Sequence, residues 1–136
     1  MGGDTRTMSR DTPCPCGTGQ PYAHCCARWH AGPLHLQAPD AALLMRSRYS
    51  AYVLGLGSYL RDTWHASTRP AHALQFDLGV HWLGLEVRRH TEQDADHAVV
   101  EFVARSKLGG RATRLHETSR FVREAGCWFY VDGDAV

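Results

Sequence analysis

Between Asp40 and Leu54 the apolar residues Ala41, Leu43, Leu44, Met45, Tyr49, Tyr52, Val53 and Leu54 recur at mixed three- and four-residue steps. That spacing predicts an α-helix with Asp40 as its N-cap. Gly55 and Gly57 end it. Ser58 is placed to cap a shorter second helix, Tyr59 to His65. Residues 66 to 81 are ambiguous: Pro70 breaks any helix running through it, while Ala71 to Asp77 has room for another turn or two. The period then changes. Trp82 to His90 sets Leu83, Leu85 and Val87 against Trp82, Glu86 and Arg88. Ala98 to Ser106 carries Val99, Val100, Phe102 and Val103, and Gly109-Gly110 signals a hairpin. Arg111 to Glu124 reads as a long alternating strand, Ala125-Gly126 turns it, and Cys127 to Val131 is a last, aromatic strand. Helices followed by a meander predict an α+β fold, a curved antiparallel sheet packed on helices.

Composition narrows the function classes. The chain has 136 residues, 43% hydrophobic and 10% aromatic, enough for a real core. The formal net charge is +1, and Lys107 is the single lysine. From Trp82 onward eight basic residues (88, 89, 105, 107, 111, 114, 120, 123) face nine acidic ones (86, 92, 94, 96, 101, 117, 124, 132, 134), so no basic stripe marks a nucleic-acid surface. No apolar run approaches the roughly 18 residues that span a bilayer. Met1 to Thr12 is polar, without the apolar stretch of a secretory signal, and is expected as a flexible extension. The expected compartment is therefore the reducing cytoplasm, where clustered cysteines are metal ligands more often than disulfides.

Four of the five cysteines, Cys14, Cys16, Cys25 and Cys26, fall within thirteen residues as C-x-C and C-C around an eight-residue loop. Four thiolates at that spacing can surround one tetrahedral ion, an arrangement Zn²⁺ prefers, and four sulfurs leave no open position for water. A closed site of this kind is structural. The alternatives are a disulfide, which adjacent Cys25 and Cys26 form only with strain, an iron–sulfur cluster, whose spacings are usually wider, and replacement of one sulfur by His24.

The Cys14 to Cys26 segment resembles the SEC-C motif, a zinc-binding module also found at the tail of the bacterial preprotein-translocase motor. Beyond it, Leu44-Met45-Arg46-Ser47-Arg48-Tyr49-Ser50-Ala51-Tyr52, Thr63-Trp64-His65, Trp82-Leu83-Gly84-Leu85, Glu101-Phe102-Val103-Ala104-Arg105, Leu115-His116-Glu117-Thr118-Ser119-Arg120-Phe121 and Trp128-Phe129-Tyr130-Val131-Asp132-Gly133 are similar to the YchJ family of uncharacterised bacterial proteins. That resemblance implies a zinc motif over 13–32 and a cone-shaped, nuclear-transport-factor-2-like domain over 33–136. It implies Cys14, Cys16, Cys25 and Cys26 as the ligands of a structural zinc. Gly17-Thr18-Gly19 is expected to turn N–H groups toward the sulfurs, with Arg10 or Arg28 offsetting charge. It also implies a protein partner at the motif. The export chaperone that docks on the translocase tail does not carry over, because Gln20, Pro21 and Ala23 stand where that motif often has basic residues.

Cone-shaped domains of this fold often enclose a pocket, and some relatives in the wider fold use it for isomerisation or dehydration. The wall candidates are Trp64, His65, Trp82, Glu101, Arg105, His116, Glu117, Arg120 and Tyr130. Alternation separates Leu115, Glu117, Ser119 and Phe121 from His116, Thr118, Arg120 and Val122, so His116 and Glu117 cannot share one site. Plainer readings stand beside these: a Glu117–Arg105 cross-strand ion pair, His65 ending its helix, Trp82, Trp128 and Tyr130 as packing, and Cys127 as a packed core thiol. No motif joins nucleophile, base and oxyanion donors, so no residue is assigned as catalytic. The primary expectation is a non-enzymatic interaction or adaptor protein with a structural zinc; the alternative is a small-molecule binder or enzyme using the cone. If the two parts have separate cores, losing any one of the four cysteines unfolds residues 13 to about 30 and spares the cone.

Overall fold

The boundaries between successive strands in the C-terminal half fall at tight turns. Strands β1 (His81–Asp94), β2 (His97–Leu108), β3 (Arg111–Glu124) and β4 (Cys127–Ala135) form one antiparallel meander in the order β1-β2-β3-β4. Gly109 and Gly110 both take positive φ (58° and 79°), as do Ala125 and Gly126 (51° and 80°). Two successive left-handed residues match the twist of a two-residue hairpin. The computed structural model describes residues 12–72, 74–76 and 79–136.

Bulges bend the sheet. Register shifts fall between Trp82 and Gly84, Val87 and Arg89, and Glu92 and Asp94 on β1, and at Val131 on β4, opposite Arg120 and Phe121. The first of these corrects the strict alternation expected for β1. Trp82, Leu85 and Val87 all pack on the core, while Leu83 is 57% exposed. Gly84, with φ of 152°, absorbs the change of face.

Four helical segments precede the sheet: a single 3-10 turn at Tyr22–His24, α1 (Ala27–His30), α2 (Ala41–Leu54) and α3 (Gly57–Asp62). Helix α2 begins and ends where the sequence predicts: Asp40 accepts the Leu43 N–H, and Gly55 closes the helix at φ 72°. Helix α3 differs. It starts at Gly57 with no side-chain cap and stops at Asp62, so Ser58 lies inside it and His65 outside. The Thr63 hydroxyl bonds back to the Tyr59 carbonyl, and the chain then pairs with β4 through His65 N–H to Tyr130 O (2.7 Å) and Tyr130 N–H to Thr63 O (2.8 Å). That pairing ends the helix. Residues 71–72 and 74–76 carry no helical turn.

Helix α2 packs on α1, α3 and strands β1, β2 and β4. Buried on so many sides, it lacks the single apolar stripe of a surface helix, and its polar Ser47, Arg48 and Ser50 are buried too. Each has a partner: Ser47 Oγ donates to Leu44 O and meets Tyr59 Oη at 2.7 Å, and Arg48 donates to Leu60 O. Cys14, Cys16, Cys25 and Cys26 belong to the same buried cluster as Leu44, Ala51, Leu60 and Val100. The expectation of two separate cores is therefore corrected; the cysteine segment is docked on the cone. The expected extension over 1–12 lies outside the described residues, except that Thr12 O accepts the Tyr22 N–H.

Two outcomes follow. Ala125→Asn relieves a left-handed alanine and raises stability by about 0.5–1 kcal/mol, whereas Asp40→Ala removes the α2 cap and lowers it by about 1 kcal/mol, both read from urea melts. His30 connects α1 to α2, donating from Nε2 to Ser47 O (2.8 Å) and accepting at Nδ1 from Tyr22 Oη (2.6 Å). Burial pulls its pKa below the ordinary value of 6.5. Its neutral form is the folded form, so its contribution is complete above about pH 6.5 and is lost as pH falls through the depressed folded value. His30→Gln flattens that part of the Tm-against-pH curve, with metal content followed in parallel.

Candidate metal centre and cone cavity

Local geometry gathers the cysteines. Gly17 and Gly19 take φ of 86°, and Cys14 N–H bonds to Gln20 O (2.9 Å), which folds the loop back. The 3-10 turn at Tyr22–His24 then delivers Cys25 and Cys26. The four Sγ atoms lie within 4.8 Å of one another, and Cys16 and Cys25 are 3.6 Å apart. Four sulfurs at about 2.3 Å from a common centre stand about 3.8 Å apart, so the cage fits one tetrahedral ion.

The donor chemistry agrees. Four thiols this close cannot all ionise by themselves. Hydrogen bonds from Cys16 and Cys26 hold the Cys14 thiol far below its ordinary value; sharing with Cys14 and Cys16, then burial, pushes Cys26 far up, and burial raises Cys25. A divalent cation supplies the charge that allows all four to be thiolates. His24 is exposed and outside the cluster.

The Cys16 backbone N–H meets the Cys14 sulfur, as expected of a loop amide, and side chains add to it. Hydroxyls meet the sulfurs: Thr18 Oγ1 lies 3.2 Å from Cys25 Sγ, and Ser50 Oγ lies 3.5 Å from Cys14 Sγ. Arg28 donates to the Cys25 carbonyl (2.9 Å) and stacks over Trp29, while Arg10 is outside the described residues. Sequence reasoning missed Arg46 and Ser50 on α2. Arg46 Nη1 donates to Cys16 O at 2.8 Å, and with Ser50 one turn later it forms the face of α2 that meets the cage. Their signal was visible: polar residues interrupt an otherwise apolar helical run.

The opposite side of α2 lines a second feature. A cavity of about 300 Å³ opens between that helix and the sheet. Met45, Arg48, Tyr49 and Tyr52 reach it from α2 at helical spacing, and Trp82, Phe102, Ala104, Leu115, Glu117, Ser119, Phe121 and Tyr130 reach it from the strands. Arg48 is 5% exposed; its Nη1 donates to Leu60 O (2.8 Å) and Thr63 Oγ1 (2.7 Å), and its guanidinium lies over the rings of Trp64 and Tyr130. Ser119 Oγ donates to Glu117 Oε2 at 2.8 Å. Burial, then the Glu117 charge, pushes Tyr130 up to about 12.

Of the nine wall candidates, Trp82, Glu117 and Tyr130 line this cavity. Trp64 stands behind it, edge-on to Tyr130. The others are elsewhere. Glu101 and His116 share the opposite face of the sheet, joined Oε2 to Nε2 at 2.6 Å, and His116 holds the Glu101 carboxyl below its ordinary range. Arg105 is opposite Arg114 and 3.9 Å from Glu86, so the expected Glu117–Arg105 pair is corrected: pleating puts the two on different faces. Arg120 bonds Asp132 and Asp134. His65, set beyond α3, bridges Ser67 Oγ (2.7 Å) and Glu124 Oε2 (2.9 Å) in a shallow surface depression that Arg120 also lines. The Ser67 backbone N–H also bonds His65 Nδ1, so the imidazole braces that turn. Cys127 is half-buried at the start of β4.

Docking carries a testable consequence. Cys16→Ser lowers the stability of cage and cone in one transition, and Arg46→Met costs about 1–3 kcal/mol in that same transition. Hydrogen exchange that protects β2 while residues 13–30 exchange freely would show two independent parts.

The family description "YchJ, middle NTF2-like domain" matches residues 40–133, and the SEC-C motif matches residues 12–28. A UPF0225 protein of Bordetella pertussis is 59% identical over 121 residues, covering 89% of this chain and 91% of its own. One from Cupriavidus metallidurans is 60% identical over 135 residues, covering 95% and 93%. The solution structure of a SEC-C motif-containing protein from Rhodopseudomonas palustris superposes with a TM-score of 0.76 at 32% identity, over 91% of this chain and 98% of that one. A crystal structure of another from Psychrobacter arcticus gives 0.74 at 30%, over 90% and 82%. With both parts matched in order and relatives this similar along nearly the whole length, the chain belongs to the YchJ (UPF0225) family.

Proposed function

We propose that this protein is a receptor for a small, largely apolar molecule held in the cone, with a structural zinc knuckle that fixes the helical wall of the cavity. The observation that carries the reading is the cavity of about 300 Å³. It lies at the lower end of the range for small-molecule sites, and its mostly apolar lining with a few polar groups has their usual character. Among the described residues no histidine lines it, and the Glu117 carboxylate already accepts a hydroxyl, which favours binding over acid–base turnover.

Zinc is the ion that best suits four thiolates in a tetrahedral cage. Sulfurs all within 4.8 Å of one another leave room for one ion rather than for a cluster with a separate iron on each ligand. Four protein ligands fill the coordination sphere, so the metal organises and does not react.

The knuckle also leaves a surface for a protein partner. Thr18, Gly19, Gln20, Ala23, His24 and Arg28 are exposed there, without a large apolar anchor. That composition supports the adaptor reading less well than the cavity supports the receptor reading. No helix among the described residues is long and apolar enough to cross a membrane.

The expected result is one zinc per chain by elemental analysis, with all four thiols protected from alkylation until a chelator removes it. In protein-observed NMR with a panel of small aromatic fragments, neutral and charged, at least one binds with shifts at Trp82 and Tyr52. Ala104→Phe fills the cavity and abolishes that binding without loss of zinc. A panel with no binder, or binding indifferent to Ala104→Phe, overturns the receptor reading.

A further inference from the structure

The cavity wall contains a cation whose charge no neighbouring carboxylate answers. Arg48 is almost wholly buried, and among the described residues no Asp or Glu oxygen lies within 4.0 Å of its guanidinium, Glu117 included, although both residues line the same space. A guanidinium offers five N–H donors in a planar fork. Both bonds that Arg48 makes come from Nη1, to Leu60 O and Thr63 Oγ1. Among the described residues, Nε and Nη2 have no acceptor. Tying α2 to the end of α3 accounts for Nη1 and for the stacking on Trp64 and Tyr130; it does not account for the remaining edge of the fork. An arginine keeps its proton when buried, so this edge, which opens on the cavity, takes water or an anion as its acceptor, and only an anion answers the charge as well.

The rest of the wall limits what that anion is attached to. Tyr49, Tyr52, Trp82, Phe102 and Phe121 present aromatic surface. Glu117 is held in place by Ser119 and opposes a second negative charge on the ligand. A cavity this small does not admit a long chain. Resting on the receptor reading above, we infer that the ligand is a small aromatic monocarboxylate whose carboxylate is held by the free edge of the Arg48 fork and whose ring lies among Tyr49, Tyr52, Trp82 and Phe102. Two parallel N–H···O bonds from Nε and Nη2 match the two carboxylate oxygens, a geometry that lysine does not reproduce.

The test titrates the zinc-loaded full-length protein with 3-phenylpropanoate, 3-phenylpropanamide and phenylsuccinate, by calorimetry and by NMR of the arginine Nε–H resonances. The monocarboxylate binds about ten- to a hundredfold more tightly than the amide, the increment of hydrogen bonds to a charged group, and it shifts the Arg48 Nε–H signal. Phenylsuccinate, with its second carboxylate, binds more weakly than the monocarboxylate. Arg48→Gln removes the preference for carboxylate over amide, and Arg48→Lys restores it only in part. Should the Arg48 variants fail to fold, the ligand pair and the Nε–H shift on the unmodified protein still decide. Equal affinity for acid and amide, or acid binding that leaves the Arg48 Nε–H signal unmoved, overturns this inference while leaving the receptor reading intact. Failure of all three compounds overturns it too, and the receptor reading then stands or falls on the fragment panel and the Ala104→Phe variant.

Discussion

The polar side chains of helix α2 hold both halves of the molecule together. A helix buried on nearly every side gains apolar contact all round but must satisfy each polar group within the protein. Arg46 and Ser50 do so against the cysteine loop, and Ser47 against Tyr59, while its carbonyl receives His30. Arg48 does so only in part, against the end of α3. The cage on one side and the cavity on the other are therefore two faces of one element. A change in the position of α2 is felt at both.

This arrangement would give an ion in the cage a role beyond its coordination. A short loop with two glycines and single turns of helix buries too little surface to fold alone. An ion held by the four cysteines would clamp it into a rigid plate, which Arg46 and His30 join to α2. Helix α2 then presents Met45, Arg48, Tyr49 and Tyr52 to the sheet at fixed positions. In this view the ion acts on the cavity indirectly, by removing freedom from the wall.

The sheet contributes the complementary constraint. Pleating sends Glu117 and Ser119 inward and His116 and Arg120 outward, so the two chemical characters of β3 are separated by one residue. The outer face collects ion pairs such as Glu101 with His116 and Arg120 with Asp132 and Asp134. Exposed pairs of this kind contribute little to stability; they keep an open sheet face soluble.

The sequence by itself determined whatever depends on neighbours a few residues apart. The cage is legible because its four cysteines lie within thirteen residues. The ends of α2 are legible because Asp40 and Gly55 act on adjacent backbone, and β3 because glycines at its hairpins fix where pairing stops. Only the tertiary structure decided the rest. Docking of the cage on α2, the bulge that turns Trp82 inward and Leu83 outward, and the shortening of α3 by pairing with β4 all join segments dozens of residues apart. The cavity is the clearest case. Sequence reasoning named Trp82, Glu117 and Tyr130 among nine wall candidates, of which the other six lie outside the lining, because alternation says that Glu117 and His116 take opposite faces but not which of them faces in. It passed over Arg48, whose place in the cavity wall, buried without a carboxylate neighbour among the described residues, exists only once helix and sheet have closed around it.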